Sequence, residues 1–317
     1  MDLEQLTASL YSVICQAGSR GKIVAIKHLS ELQLDIERYQ NTEIVDQDFY
    51  DKELSGFDWE YPEEFSDERS VIITATEQSK TQVSFEFDRH KLLLTIPPTY
   101  SYETDNKIES ILKVFLNTAG YTLRKAKLPL KLLSVRSGLA KYGRNNVTYI
   151  EKMGSYYRLA AFYTNLPCLE DNWQEVELNK TCIKCKECFK ACPTGAISSE
   201  RFLLHAEKCL TFKNEFPGKF PDWIDPKWHN CLVGCLLCQE ACPLNSIVKY
   251  RAEERLSFSE EESRLILKKI PKKKLPQSTV NKLKELGLEE YLNVLPRNLE
   301  VLINKYLVDE LKDNVIY

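Results

Sequence analysis

Apolar residues at Leu3, Leu6, Leu10, Val13 and Ile14 recur at three- and four-residue steps, and this period predicts helix through the first segment to about residue 40. The polar, acidic stretch NTEIVDQDFYDKELSGFDWEYPEEFSDERS that follows has no steady period, which predicts a loop with short helices. The pattern then changes to that of strands. SVIITATE (70–77) and KLLLTIPPTY (91–100) are short apolar runs rich in β-branched residues, and VSFEFDR (83–89) alternates apolar and polar positions. ETDNKIESILKVFLNTAG (103–120) reads as a helix with Asp105 or Asn106 as cap, Ile108, Ile111, Leu112 and Phe115 on one face, and Gly120 as its stop. KLPLKLLSVRSGLAKYG (127–143) predicts a second helix, begun near a proline and ended by glycine. GSYYRLAAFYTNLP (154–167) is a further strand candidate. From residue 258 onward the chain reads as short amphipathic helices separated by prolines. The predicted class is α+β: a mixed α/β domain over 1–175, a cysteine-rich domain over 176–250 and a short α-helical C-terminal appendix over 251–317.

Composition adds a compartment. With 43% hydrophobic and 28% charged residues the chain reads as a globular protein, and no run approaches the roughly 18 apolar residues of a membrane span. The first residues carry an acid where a signal peptide carries basic groups, so a cytoplasmic location and no membrane partner are expected. A net charge of -3 gives no overall attraction to nucleic acid, and the basic run KKIPKKKLP (268–276) reads as a solvated linker. Nine of the eleven cysteines lie between 182 and 242; only Cys15 and Cys168 are elsewhere. A disulfide framework needs an oxidising compartment, so the cluster of nine points to metal.

Cys182, Cys185, Cys188 and Cys192-Pro193 form a C-x2-C-x2-C-x3-C-P run, in which three thiolates reach one four-iron cluster and the fourth serves a second. Zinc sites are built from two C-x2-4-C pairs and do not explain this spacing. A second set, Cys209, Cys231, Cys235, Cys238 and Cys242-Pro243, ends with the same spacing. The ferredoxin rule places Cys182, Cys185 and Cys188 with the distal Cys242. Cys192, Cys235 and Cys238 then need one more ligand, and spacing leaves Cys209 and Cys231 both open. Two such clusters imply single-electron chemistry, and the domain preceding them is expected to hold what receives the electrons.

GLAKYGRNNVTYIEKMGSYYRLAAFYTNLP, the cysteine run with PTGAI, the lone cysteine of AEKCLTF, and GCLLCQEACPLN together resemble the epoxyqueuosine reductases of bacterial tRNA modification, with PRNLEVLI a lesser match near the C-terminus. The resemblance implies a monomer with two four-iron four-sulfur clusters, a cobalamin and a nitroreductase-like corrinoid-binding α/β domain. It implies that Cys209 completes the second cluster with Cys192, Cys235 and Cys238, leaving Cys231 as a non-ligand. It also implies that the cobalamin lies over Gly138, Tyr142, Gly143, Arg144, Asn145, Gly154 and Ser155. Glycine suits such a seat because backbone can approach a flat macrocycle closely. A low-potential donor of ferredoxin or flavodoxin type is the implied electron source.

The sequence also departs from the family. Members carry an aspartate in a V-D-S or V-D-T motif upstream of their glycine motif, and the corresponding place here is Leu123-Arg124-Lys125, without an acid. Arg124, Lys125 and Tyr142 are therefore the candidate catalytic groups; the two cations suit an anionic substrate better than proton donation. The expected function is an iron-sulfur oxidoreductase acting on tRNA or a small anionic substrate. The alternative is an electron-transfer protein that feeds a separate corrinoid or radical enzyme. His229 is expected near the second cluster, and Trp223 and Trp228 are expected to cover a cluster from water.

Overall fold

The computed structural model describes residues 2–42, 44–59, 69–100, 102–248 and 252–313, so part of the predicted acidic loop (60–68) lies outside the described residues. Helix α1 (Leu3–Gln16) is followed by strand β1 (Ser19–Ala25), α2 (Leu29–Asn41), the short α3 (Gln47–Phe49), the strands β2 (Ser70–Glu77), β3 (Lys80–Phe87) and β4 (His90–Ile96), and α4 (Glu103–Thr118). Then come β5 (Leu123–Ala126), α5 (Leu130–Arg136), the two-residue strands β6 (Lys141–Tyr142) and β7 (Thr148–Tyr149), and β8 (Tyr157–Thr164).

An antiparallel sheet in the order β1-β2-β8-β5 forms the centre of the α/β domain. Helices α1 and α4 cover one face, where Leu10, Ile14, Ile72, Leu112 and Phe162 form a core. Helices α2 and α5 cover the other, where Leu32, Ile36, Val71, Ile73, Leu133 and Ala161 meet. Successive residues of β2 thus enter opposite cores, which is why SVIITATE reads as a continuous apolar run instead of alternating.

Three expectations are corrected here. The first forty residues are not one helical segment: Gly18, at φ +70°, turns the chain out of α1 and into β1. The predicted helix over 127–143 is shorter, and the strand β5 that precedes it has only four residues, too few to show a period. Asp105 does not cap α4; it is buried in the first turn, where Arg158 and Lys125 pair with it.

The cysteine region contributes α6 (Glu187–Ala191), α7 (Leu210–Glu215) and α8 (Leu237–Glu240). The C-terminal part contains β9 (Ala252–Phe258), α9 (Glu260–Leu267), α10 (Gln277–Glu285) and α11 (Leu295–Asp313). β9 has no strand pattern of its own, because AEERLSF is polar; pairing in parallel with β3 makes it a strand. The C-terminal helices share a core with β3, β4 and the cysteine loop, including Phe85, Leu232, Val233, Phe258, Leu283, Leu299 and Ile303. Ser259 and Glu262 form a capping box that opens α9 directly after β9.

Candidate metal centre

Each half of the cysteine motif runs into a short helix. Cys188 lies on α6, which ends at Cys192; Cys238 lies on α8, which ends just before Cys242. The two helices pack on each other, so the cysteine leaving each one arrives beside the other half's loop. The thiols fall into two electrostatically coupled groups. Burial, then Cys242, Cys182 and Cys185, push Cys188 up to about 11, and Cys242 is raised by burial and by Cys182 and Cys185. Burial pushes Cys235 up to about 11, with Cys209 and Cys192 contributing. Cys238 is raised well above the usual thiol value by burial, with Cys235, Cys209 and Cys192 adding to it. Among the described residues, no three or more His, Cys, Asp and Glu side chains converge on one point as they would around a single metal ion; the four thiols of a four-iron cluster each bind a different iron and need not do so.

Both groups carry donors suited to thiolate sulfur. Cys209 stands at the N-cap position of α7, where the nearby backbone of Thr211 and Phe212 lowers a thiol pKa that burial raises. The Asn230 amide donates to Cys235 Sγ at 3.2 Å, and the backbone of Leu244 donates to Cys242. Thiols that are buried or half-buried and have N–H donors near them suit an iron-sulfur cluster, and the residues fit that group. Cys231 differs from its neighbours: its thiol donates to Asn230 Oδ1 at 3.1 Å, and burial holds its pKa well above the usual value.

The residues expected to seat cobalamin lie where the α/β domain meets the cysteine region. Asn145 donates to Cys238 Sγ at 3.5 Å, and Arg144 donates to the Cys182 carbonyl at 3.0 Å. The Ser155 amide donates to Asn245 Oδ1 at 2.8 Å, and its hydroxyl bonds Gln239. A Cβ at Gly154 would collide with the Asn245 side chain, one at Gly143 would meet the Tyr149 ring at 2.5 Å, and one at Gly138 would meet Gln174 at 2.7 Å. The space beside these glycines is filled by the chain's own side chains, so the Cβ faces of the three are not a cradle for a macrocycle. Tyr142 packs edge-on against Phe202 at 5.3 Å.

Arg124 and Lys125 stand on β5, where the Arg124 guanidinium lies over the Tyr163 ring at 5.2 Å and Lys125 pairs with Asp105 at 3.1 Å. They are held by the α/β sheet, opposite Tyr163 and Phe162 of β8. His229 is fully buried against Phe220, and burial lowers its pKa to about 4, so it is neutral at pH 7. Trp223 is half exposed.

One acidic group escaped the sequence reading. Glu215, at the end of α7, accepts a hydrogen bond from the buried Tyr100 hydroxyl. Burial pushes its pKa up to about 7, and Glu53 raises it further while the Tyr100 hydrogen bond and Lys131 act the other way. Tyr100 is stacked edge-on with Tyr291 at 5.4 Å. Tyr100, Glu53, Lys131 and Glu215 come from distant stretches of the chain, and no local motif announces them.

Residues 181–245 match the family model described as a 4Fe-4S double cluster binding domain. This double-cluster segment is joined to an α/β domain. In sequence the chain is similar to epoxyqueuosine reductases. It is 31% identical over 138 residues to that of Bacillus subtilis (strain 168), covering 44% of this chain and 34% of the relative. It is 29% identical over 161 residues to that of Cyclobacterium marinum, covering 49% and 51%. The matched segments thus span about a third to a half of these curated relatives. The fold agrees over nearly the whole chain. An epoxyqueuosine reductase solved with a tRNA-Tyr epoxyqueuosine-modified tRNA stem loop superposes with a TM-score of 0.66 at 18% identity, over 96% of this chain and 82% of that one. The epoxyqueuosine reductase of Streptococcus thermophilus gives 0.60 at 16% identity, over 95% and 81%.

Proposed function

We propose that the chain is an iron-sulfur oxidoreductase of the epoxyqueuosine reductase type. It takes single electrons from a low-potential donor, of ferredoxin or flavodoxin type, and passes them through two four-iron clusters towards a substrate at the α/β domain. One cluster is held by Cys182, Cys185, Cys188 and Cys242, the other by Cys192, Cys209, Cys235 and Cys238. The observation that carries this reading is the match of residues 181–245 to a 4Fe-4S double cluster binding domain, with α6 packed on α8 so that Cys192 and Cys242 each leave a helix beside the other half of the motif. Cys231 is a protonated thiol and no ligand.

Cobalamin is the further cofactor of this reading, on the strength of the sequence likeness; bound, it supplies a reducible cobalt. The substrate is tRNA or a small anion, and the working compartment is the cytoplasm. Reduction consumes protons as well as electrons, and Glu215 is the acid that keeps a proton near neutral pH.

Anaerobic purification, with iron, sulfide and cobalt quantified on one sample after reconstitution with cobalamin, tests the reading. About eight iron per chain is expected for two such clusters, together with one cobalt. Eight iron without cobalt removes cobalamin from the proposal, and a chain that takes up no iron removes the whole of it. Binding of tRNA that weakens steeply with salt supports the tRNA arm, and a flat response overturns it.

A further inference from the structure

Asn145 and Tyr149 sit on the short hairpin formed by β6 and β7, 3% and 4% exposed respectively. The Asn145 side-chain amide lies 2.9 Å from the Tyr149 hydroxyl and 3.5 Å from Cys238 Sγ. An amide carries two N–H groups, so it can serve both partners. The Tyr149 oxygen accepts from Asn145, and the Tyr149 hydroxyl lies beside Cys242, where it lowers that thiol's pKa. Asn145 and Tyr149 therefore stand between Cys238, in one group of thiols, and Cys242, in the other. Gly143 makes room for them: a Cβ there would meet both the Tyr149 ring and Asn145 Oδ1, the latter at 2.8 Å.

We infer that Asn145 and Tyr149 form a positioning bridge that sets the reduction potentials of the two clusters together. The inference rests on the ligand sets proposed above. Adding an electron makes a cluster more negative by one charge, and a donor aimed at a ligating sulfur stabilises that charge. Each donated bond therefore raises the potential of the cluster it points to, with no proton changing owner. Because Asn145 also orients the Tyr149 hydroxyl, loss of Asn145 reaches both clusters, whereas loss of the hydroxyl reaches chiefly the Cys242 cluster. Docking of the hairpin alone would not require the two donors to end on sulfur.

The test is a potentiometric titration of the anaerobically reconstituted protein, followed by electron paramagnetic resonance. Cys242→Ser and Cys238→Ser assign each signal to its cluster. Tyr149→Phe keeps the ring and is expected to lower the midpoint of the Cys242 cluster, with the oxidised-to-reduced ratio at a fixed potential rising about tenfold, or about 59 mV for a one-electron couple. Asn145→Leu is expected to lower both midpoints. If Tyr149→Phe retains its full iron and both wild-type midpoints, the inference is overturned. Loss of iron from Tyr149→Phe overturns it too, by making the hydroxyl a group that holds the fold. Should Asn145→Leu lose iron, Tyr149→Phe alone decides. A wild-type protein that takes up no iron defeats the proposed function instead, before any variant is compared.

Discussion

Cys209 and Cys231 are both held above the usual thiol value by burial, and they differ in their partners. Cys209 lies near Cys192, whereas the Cys231 thiol gives its hydrogen to Asn230. A thiol that keeps its proton on an acceptor is no metal ligand. Cys209→Ser is accordingly expected to halve the iron content, while Cys231→Ser leaves about eight iron per chain, as metal analysis of reconstituted protein would read. Spacing left these two residues level, because it reports distance along the chain and not which groups converge on a sulfur. Glu215 carries a second prediction at this scale. Its folded pKa is raised from 4.5 to about 7, chiefly by burial, so the folded state binds the proton more tightly. The stability linked to this proton is complete below pH 4.5 and is lost as pH rises through about 7. Glu215→Gln removes that dependence, and its melting temperature should fall less than that of the wild type across this window. An unchanged slope would count against a raised pKa at Glu215.

Helix α11 shows how an element distant in sequence fixes the cluster loops. The Arg297 guanidinium donates to the carbonyls of Lys213 at 2.9 Å and Phe216 at 3.1 Å and lies over the Phe220 ring at 3.9 Å. The Asn298 amide donates to Asn214 O at 2.9 Å and Leu232 O at 2.8 Å. These bonds tie the end of α7 to the loop before Cys235, which accounts physically for the PRN of PRNLEVLI. Arg297→Ala is expected to cost about 3 kcal/mol, because several charge-assisted bonds are lost, and to speed the loss of iron from the second cluster under a chelator. The turn before β8 is equally demanding. Gly154 combines φ +60° with the close approach of Asn245, and Gly154→Ala should cost at least about 1–3 kcal/mol in thermal or denaturant unfolding. In the sequence, Gly154 was legible as a residue needing freedom; that the freedom serves Asn245 was not, since the partner lies ninety residues away.

In the whole molecule, the α/β domain, the cysteine region and the C-terminal helices are continuous in their packing. Leu232 and Val233 of the cysteine loop lie in one core with β3, β4 and the C-terminal helices, and β9 extends the β3–β4 hairpin. A chain ended at residue 251 would uncover that core, and it is expected to be recovered as aggregate, read by size-exclusion chromatography; a monodisperse product would show that the core closes without β9 and the helices that follow it. Strands buried on both faces and long amphipathic helices could be read from the chain, because their signal is local: β2, β3, β4, α4 and β8 lie close to where the pattern places them. β1, β5 and β9 could not, since each is short or polar and becomes a strand through its neighbour. The cysteine spacing by itself led to the expectation of two four-iron clusters, with each half of the motif lending a residue to the other, because the C-x2-C-x2-C-x3-C-P run is a local pattern. Only the tertiary structure decided what surrounds them: Asn145 and Tyr149 between the two groups, Glu215 against Tyr100, and side chains where an open glycine seat was expected. Such contacts join residues far apart in the chain, and no local pattern encodes them.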